Sequence, residues 1–283
     1  DSEQSSLVTN GLAKNGELYL KKAGSTDAGS IVVYDSGAWK TFANEYSPGG
    51  LVNDYSLSFD GTNDFVRTDY VPSAGSTFSG SVWIKTSDTS NSMAFFSMED
   101  GNGTYGIALK TPGSSKNWWV AGPTFSRNGH IGGTGGAASI RDGNWHHIAL
   151  TVNSQTIKIY TDGSLVGTDT VSAGAAYVGP NPPASGNLTN YRYLIGRGYA
   201  VGAYQFNGLM DEVALFETEL TASQVTDIYN SGVPTDISSL SPAGYWRMGD
   251  NDSGTGNTIT DQGSAGNNGT LINGPTFSTT VPS

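Results

Sequence analysis

The chain has no cysteine, so its chemical resources are three histidines and 25 acidic residues. Hydrolysis of a glycosidic bond needs two carboxyl groups on one face, about 5–5.5 Å apart for the retaining route. A strand supplies them only through alternate acidic positions, because successive side chains point to opposite faces. No such strand is legible. Glu99 is the only glutamate between Glu45 and Glu212. Glu212 has Ala214 and Phe216 as same-face neighbours, and Glu217 and Glu219 fall in the turn before a helix. His146 and His147 are reactive in type, but neighbours on a strand cannot both serve one site. His130 lies in a glycine-rich loop with no near ligand. Neither a histidine-based zinc site nor a triad is expected, and no catalytic residue is assigned.

Binding chemistry is better represented. Aromatic faces stack on sugar C–H groups, while Asn, Asp and backbone groups orient hydroxyls. Trp118 and Trp119 form one cluster, of which alternation sends one ring inward. Tyr177, Asn181, Asn187 and Tyr191 lie in the long loop 173–192. These six residues are the expected glycan contacts. Against them stands the plain reading that a loop of this length is disordered.

Positioning them falls almost entirely to β structure. Alternating or β-branched runs at 55–59, 64–69, 78–85, 93–98, 105–110, 118–121, 145–152, 156–161, 193–195 and 208–216 are separated by Gly, Asn, Asp and Ser. Such short strands predict an all-β sandwich or jelly roll. Asp60-Gly61 and Asp162-Gly163 both predict tight hairpins. One short helix is expected after Thr221, where Thr221 and Gln224 form a capping box, Leu220 and Val225 a hydrophobic staple, and Gly232 the stop. Three regions follow: a small β segment and linker at 1–50, a main sandwich at 51–232, and strands at 233–283 that complete it.

Composition narrows the class. A net charge of −11 argues against nucleic acid as a partner. No stretch approaches the ~20 apolar residues of a membrane span. No basic, apolar leader opens the chain, so the expectation is that any leader has been removed or never existed.

Four segments in order resemble the laminin-G-like branch of the concanavalin A-like lectin/glucanase superfamily. They are Leu57-Ser58-Phe59-Asp60-Gly61-Thr62-Asn63-Asp64, which looks like an opening hairpin, then Ser81-Val82-Trp83-Ile84-Lys85, then Gly143-Asn144-Trp145-His146-His147-Ile148, and finally Gly208-Leu209-Met210-Asp211-Glu212-Val213. The resemblance implies a concanavalin A-like jelly-roll β-sandwich, with Trp145 buried and the Trp-His-His strand part of the fold. It also implies a structural Ca²⁺ where the opening strand meets the last, at Asp60, Asn63, Asp64 and Asp211. Asp250, Asn251, Asp252 and Asp261 offer a second oxygen-rich loop. Residues 15–20 and 31–40 are similar to short β modules in structural proteins of marine bacteriophages. The expectation is therefore a non-catalytic protein of a virion surface or the extracellular space. Its expected partners are a surface glycan, neighbouring virion subunits or further copies of itself. The alternatives are a purely structural decoration or fibre subunit and, less favoured, a glucanase-type hydrolase.

Overall fold

The β-branched and aromatic runs become strands wherever the computed structural model describes them. The described residues are 18–20, 31–35, 38–41, 51–71, 77–89, 92–99, 108–111, 118–121, 129–131, 140–153, 156–170, 192–198 and 204–283. Two compact units divide the chain, Asp1–Leu51 and Val52–Ser283. In the first, β1 (Leu18–Leu20), β2 (Ile31–Asp35) and β3 (Ala38–Thr41) form an antiparallel sheet in that order. Asp35 pairs with Ala38, so β2 and β3 are antiparallel neighbours.

The second unit is a sandwich of two eight-stranded sheets. One sheet is built on β4 (Ser56–Asp60), β6 (Thr77–Lys85), β11 (Trp145–Asn153), β12 (Thr156–Thr161), β13 (Ser164–Thr170) and β15 (Asn207–Phe216). β16 (Gly244–Trp246) and β19 (Thr276–Ser278) join it through β15 and β4. The other sheet contains β5 (Phe65–Thr68), β7 (Met93–Glu99), β8 (Ala108–Thr111), β9 (Trp118–Ala121) and β10 (Gly129–Ile131). β14 (Arg192–Ile195), β17 (Thr258–Ile259) and β18 (Gly269–Ile272) complete it. The jelly-roll sandwich expected from the sequence is the fold observed.

The main core lies between the sheets and includes Leu57, Val66, Val82, Ile84, Phe96, Ile148, Leu150, Tyr193, Met210 and Leu215. The first sheet is covered on its other face as well. There Ala149, Tyr160, Ala214 and Phe216 pack under helix α1 (Ala222–Tyr229) and the residues that follow it. This double coverage explains why seven consecutive residues of β6, from Phe78 to Ile84, are buried. A strand with one solvated face would alternate.

The helix begins as its sequence demands. The Gln224 backbone N–H donates to Thr221 Oγ1 at 3.2 Å, and the Thr221 N–H donates to Gln224 Oε1 at 2.8 Å. Leu220 and Val225 are both buried in the covering layer. Its stop differs from expectation. Asn230, with φ +43°, takes the left-handed cap two residues before Gly232, a conformation asparagine tolerates better than most residues.

The two Asp-Gly turns also part company. Asp162 and Gly163 both have positive φ and join the antiparallel strands β12 and β13, as a two-residue hairpin requires. Asp60-Gly61 closes no hairpin. β4 belongs to one sheet and β5 to the other, so residues 61–64 form a corner that carries the chain across the sandwich. Gly61 is needed there on two counts: its φ is +75°, and a Cβ would lie 2.8 Å from that of Asn207.

The last forty residues of the chain supply strands to both sheets. β18 pairs with β5 and β19 with β4. Trp246 is fully buried, stacked on Tyr193 at 6.0 Å between ring centres, and its Nε1 donates to the Asn267 carbonyl at 3.0 Å. Trp246→Ala should cost about 3–5 kcal/mol, the usual loss for a large buried aromatic. Urea unfolding of the two proteins measures it; a loss below about 1 kcal/mol would show that the C-terminal strands carry little of the core.

Candidate functional site

The two histidines are spent on structure, and on different partners. His147 is fully buried on β11. Its Nε2 lies 2.8 Å from Ser81 Oγ, and its ring packs against Trp83 and Tyr229. Burial lowers its pKa to about 4, so the ring is neutral at pH 7. His146 sits between Asp162, 2.8 Å from Nδ1, and Asp142, 3.1 Å from Nε2. Hydrogen bonding to Asp162 raises its pKa. Asp162 in turn accepts the His147 backbone N–H at 2.9 Å, which fastens the β12–β13 turn to β11. Trp145, expected to be buried, is half-buried, because it stands at the first position of its strand.

The buried acids Asp211 and Glu212 lie at a bulge in β15. Between the pairs Asp211–Trp83 and Ala214–Ser81, β15 advances three residues and β6 only two. Glu212 takes φ +48° there, a strained conformation for a non-glycine residue. It is held by two partners. Arg247 Nε donates to its Oε1 at 3.0 Å, and the Tyr245 hydroxyl donates to its Oε2. Burial still pushes the Glu212 pKa up to about 7. Burial, with the charges of Glu212 and Asp250 nearby, holds Asp211 well above the usual carboxylate range. Arg247 also pairs with Asp250 at 2.7 Å and donates to the Val52 carbonyl. Asp250 accepts the backbone N–H groups of Asp54 and Tyr55, both at 2.8 Å. The group is a closed ion-pair network, and neither acid faces an open cleft.

The four expected calcium ligands do not converge. Asp60, Asn63 and Asp64 share the corner after β4. There Asp60 Oδ1 accepts the Thr62 N–H at 2.7 Å, and Asp64 Oδ2 accepts the Asp60 N–H at 3.1 Å. Asp211 is elsewhere. Asn207 is the residue opposite Asp60, and Asp211 stands four positions further along β15, ~13 Å at the usual rise per residue. It is fully buried. A cation shared by these four side chains does not fit this separation along β15. Among the described residues no cluster of three or more His, Asp or Glu side chains is arranged to hold a metal ion. In the second oxygen-rich loop the carboxylates serve the backbone. Asp252 accepts the Thr260 N–H at 3.0 Å, and Asp261 accepts those of Tyr245, Gly263 and Asn267.

Of the expected glycan contacts, Trp118 and Trp119 are on β9, with side chains outside the described residues. Tyr177, Asn181, Asn187 and Tyr191 also lie outside the described residues. The structure shows a different opening, which sequence reasoning missed. A cleft of about 540 Å³ lies at the end of β6 and the start of β15, lined by residues 85–88, Gly143 and residues 207–209. Its walls are tied together. Thr86 Oγ1 donates to the Asn207 carbonyl at 2.7 Å and accepts the Asp88 N–H at 3.1 Å. The Gly143 N–H donates to the Thr86 carbonyl at 3.0 Å, and Arg141 Nη1 donates to the Asp88 carbonyl at 2.9 Å. At Gly208 a Cβ would lie 2.2 Å from the Lys85 carbonyl oxygen, so only glycine lets the strands approach this closely. The one sequence signal was the cluster of Asp, Asn and Gly at the strand ends, which reads equally well as turn chemistry.

Comparison with known proteins gives three findings. Residues 60–226 match the laminin G family model described as the concanavalin A-like lectin/glucanases superfamily. Adhesion G-protein coupled receptor V1 of Danio rerio is 26% identical over 176 residues, which cover 60% of this chain; the chain spans only 3% of that relative's length. Among solved structures, a protein from Bacteroides ovatus ATCC 8483, provisionally described as carbohydrate binding, has a TM-score of 0.60 at 19% identity. It covers 95% of this chain and 71% of its own. The CBM40 of a Ruminococcus gnavus sialidase, bound to α2,3 sialyllactose, has a TM-score of 0.44 at 13% identity over 64% of this chain and 99% of its own. At 19% identity the Bacteroides ovatus structure shows a shared fold alone.

Two outcomes follow from the geometry. A histidine kept neutral by burial binds fewer protons folded than unfolded, so its stabilising contribution is present above pH 6.5 and lost as pH falls toward 4. By linkage the loss approaches roughly 3 kcal/mol. His147→Gln, which keeps a partner for Ser81, should therefore flatten the decline in urea midpoint between pH 7 and pH 4. An unchanged decline would remove His147 from the acid response. Arg247→Ala should cost about 3–5 kcal/mol, because it strands a buried carboxylate. Arg247→Met combined with Glu212→Gln should recover most of that in the same measurement.

Proposed function

The chain belongs to the concanavalin A-like lectin/glucanases superfamily, and from that premise we propose that it is a non-catalytic binding module acting at a surface on glycan or protein. The observation that carries this reading is the fate of the acids at the closing strand. Glu212 is neutralised by Arg247 and Tyr245, and Asp211 is buried beside it. Neither can reach a glycosidic oxygen, and hydrolysis requires two carboxyls that can. The carbohydrate-binding description of the Bacteroides ovatus neighbour, which covers nearly the whole chain, supports the glycan side. The adhesion receptor of Danio rerio supports a surface setting. No described helix is long and apolar enough to cross a membrane. Within that setting we place the module on a virion or a secreted assembly, a choice that rests on the sequence of residues 15–40.

The test pairs two assays on the full chain. A glycan array and an assay of released reducing ends should give retention on at least one polysaccharide and no release above blank. Release that disappears in Glu212→Gln would overturn the non-catalytic reading.

A further inference from the structure

The geometry points to Asn273 as a self-modifying site, whose side-chain amide is lost by attack of the Gly274 backbone nitrogen and whose product is aspartate or isoaspartate. Three Asn-Gly pairs lie among the described residues, at 207–208, 268–269 and 273–274. Each has the sequence this reaction prefers, because a following glycine puts no side chain in the path of its own nitrogen. Two of them are locked. Gly208 pairs with Phe59, and Gly269 pairs with both Thr68 and Ile259. A Cβ on Gly208 would lie 2.2 Å from the Lys85 carbonyl oxygen, and one on Gly269 would lie 2.6 Å from Val66 Cγ1. Neither backbone can turn toward its asparagine without disrupting a sheet. Gly274 is different. It is exposed between β18 and β19, has φ +111°, and nothing lies within 4 Å of where its Cβ would be. Among the described residues its N–H has no hydrogen-bond acceptor. Rotation about the Asn273 Cα–C bond is therefore free to bring this nitrogen to Asn273 Cγ.

The step balances without an added oxidant or reductant. The Gly274 nitrogen forms a bond to Asn273 Cγ, the Cγ–Nδ2 bond breaks, and the Gly274 proton leaves with Nδ2 as ammonia. Water then opens the cyclic imide at either carbonyl. One opening leaves aspartate; the other leaves isoaspartate, with one extra carbon in the main chain. The site matters because the amide that is lost has a partner. Asn273 Nδ2 donates to the Asn63 carbonyl at 2.9 Å. That bond ties the corner after β18 to the corner after β4, and both corners carry the chain from one sheet to the other. A carboxylate accepts hydrogen bonds and cannot donate, so the product turns a bond into a repulsion, at a corner that already holds Asp60 and Asp64. Modification therefore loosens β19 from β4.

The experiment is peptide mapping by mass spectrometry on the full chain, aged at pH 8 and 37 °C either folded or in concentrated urea. In the folded protein Asn273 should convert at least tenfold faster than Asn207 and Asn268. In urea, where the sheets no longer protect them, the three sites should convert at rates within about threefold of one another, which separates the fold from the sequence. Equal folded rates at the three sites, or a slower rate at Asn273, overturn the proposal. The aged, more acidic form, separated by ion exchange, should unfold at a lower urea concentration than the fresh protein. Asn273→Asp, which adds the carboxylate without the extra main-chain carbon, should fall between the two. An aged form that unfolds at the same urea concentration as the fresh protein overturns the role given to the corner.

Discussion

A guanidinium that is 11% exposed lies between two carboxylates that are 4% and 3% exposed, and three distant stretches of chain meet around it. Arg247 follows β16, Glu212 is the bulge of β15, and Asp250 grips the backbone of residues 54 and 55. Charges this deep stabilise only while every partner is present, because each has given up its water. The network makes the bulge possible, since the strained backbone at Glu212 is held by the salt bridge. The bulge then decides what the closing strand can do. It keeps Glu212 against Tyr245 and Arg247 and away from solvent, beside the buried Asp211. The two acids of the closing strand thereby become a structural fixture.

The sandwich was legible because its strands obey local rules. Alternation in β4 and β11, the Thr221–Gln224 cap and the Asp162-Gly163 turn each have one cheap conformation, and the fold uses it. The misread features depend on contacts between distant segments. Nothing near Asp60 distinguishes a hairpin from a corner; the difference lies in whether β5 pairs with β4 or with β14 and β18. The helix stop moved from Gly232 to Asn230 because two residues there tolerate positive φ. The bulge at Glu212 was invisible because in a run such as Met210-Asp211-Glu212-Val213 alternation predicts a regular strand. The cleft was invisible for a related reason: its lining comes from three separated segments whose common feature, small polar residues at strand ends, is the ordinary composition of turns.

Buried polarity on the helix side has one further role. Ser81, His147 and Asp162 form a line of partners across β6, β11 and the β12–β13 turn. Hydrogen bonds have directions that apolar packing lacks, so they fix the register of strands whose buried faces are otherwise interchangeable hydrophobic surface. The cleft lies at the end of those same strands. A polar site built from strand ends is only as precise as the register behind it.

The pairing of β19 with β4 brings the first and last strands of the sandwich side by side, with Ser278 opposite Ser56. Force applied between the two ends of this unit would therefore not slide strands past one another. It would peel β19 from β4 one hydrogen bond at a time, the direction in which a sheet resists least. A module joined in series at these two points would act as a soft mechanical link, yielding at its seam before the core around Trp246 is disturbed.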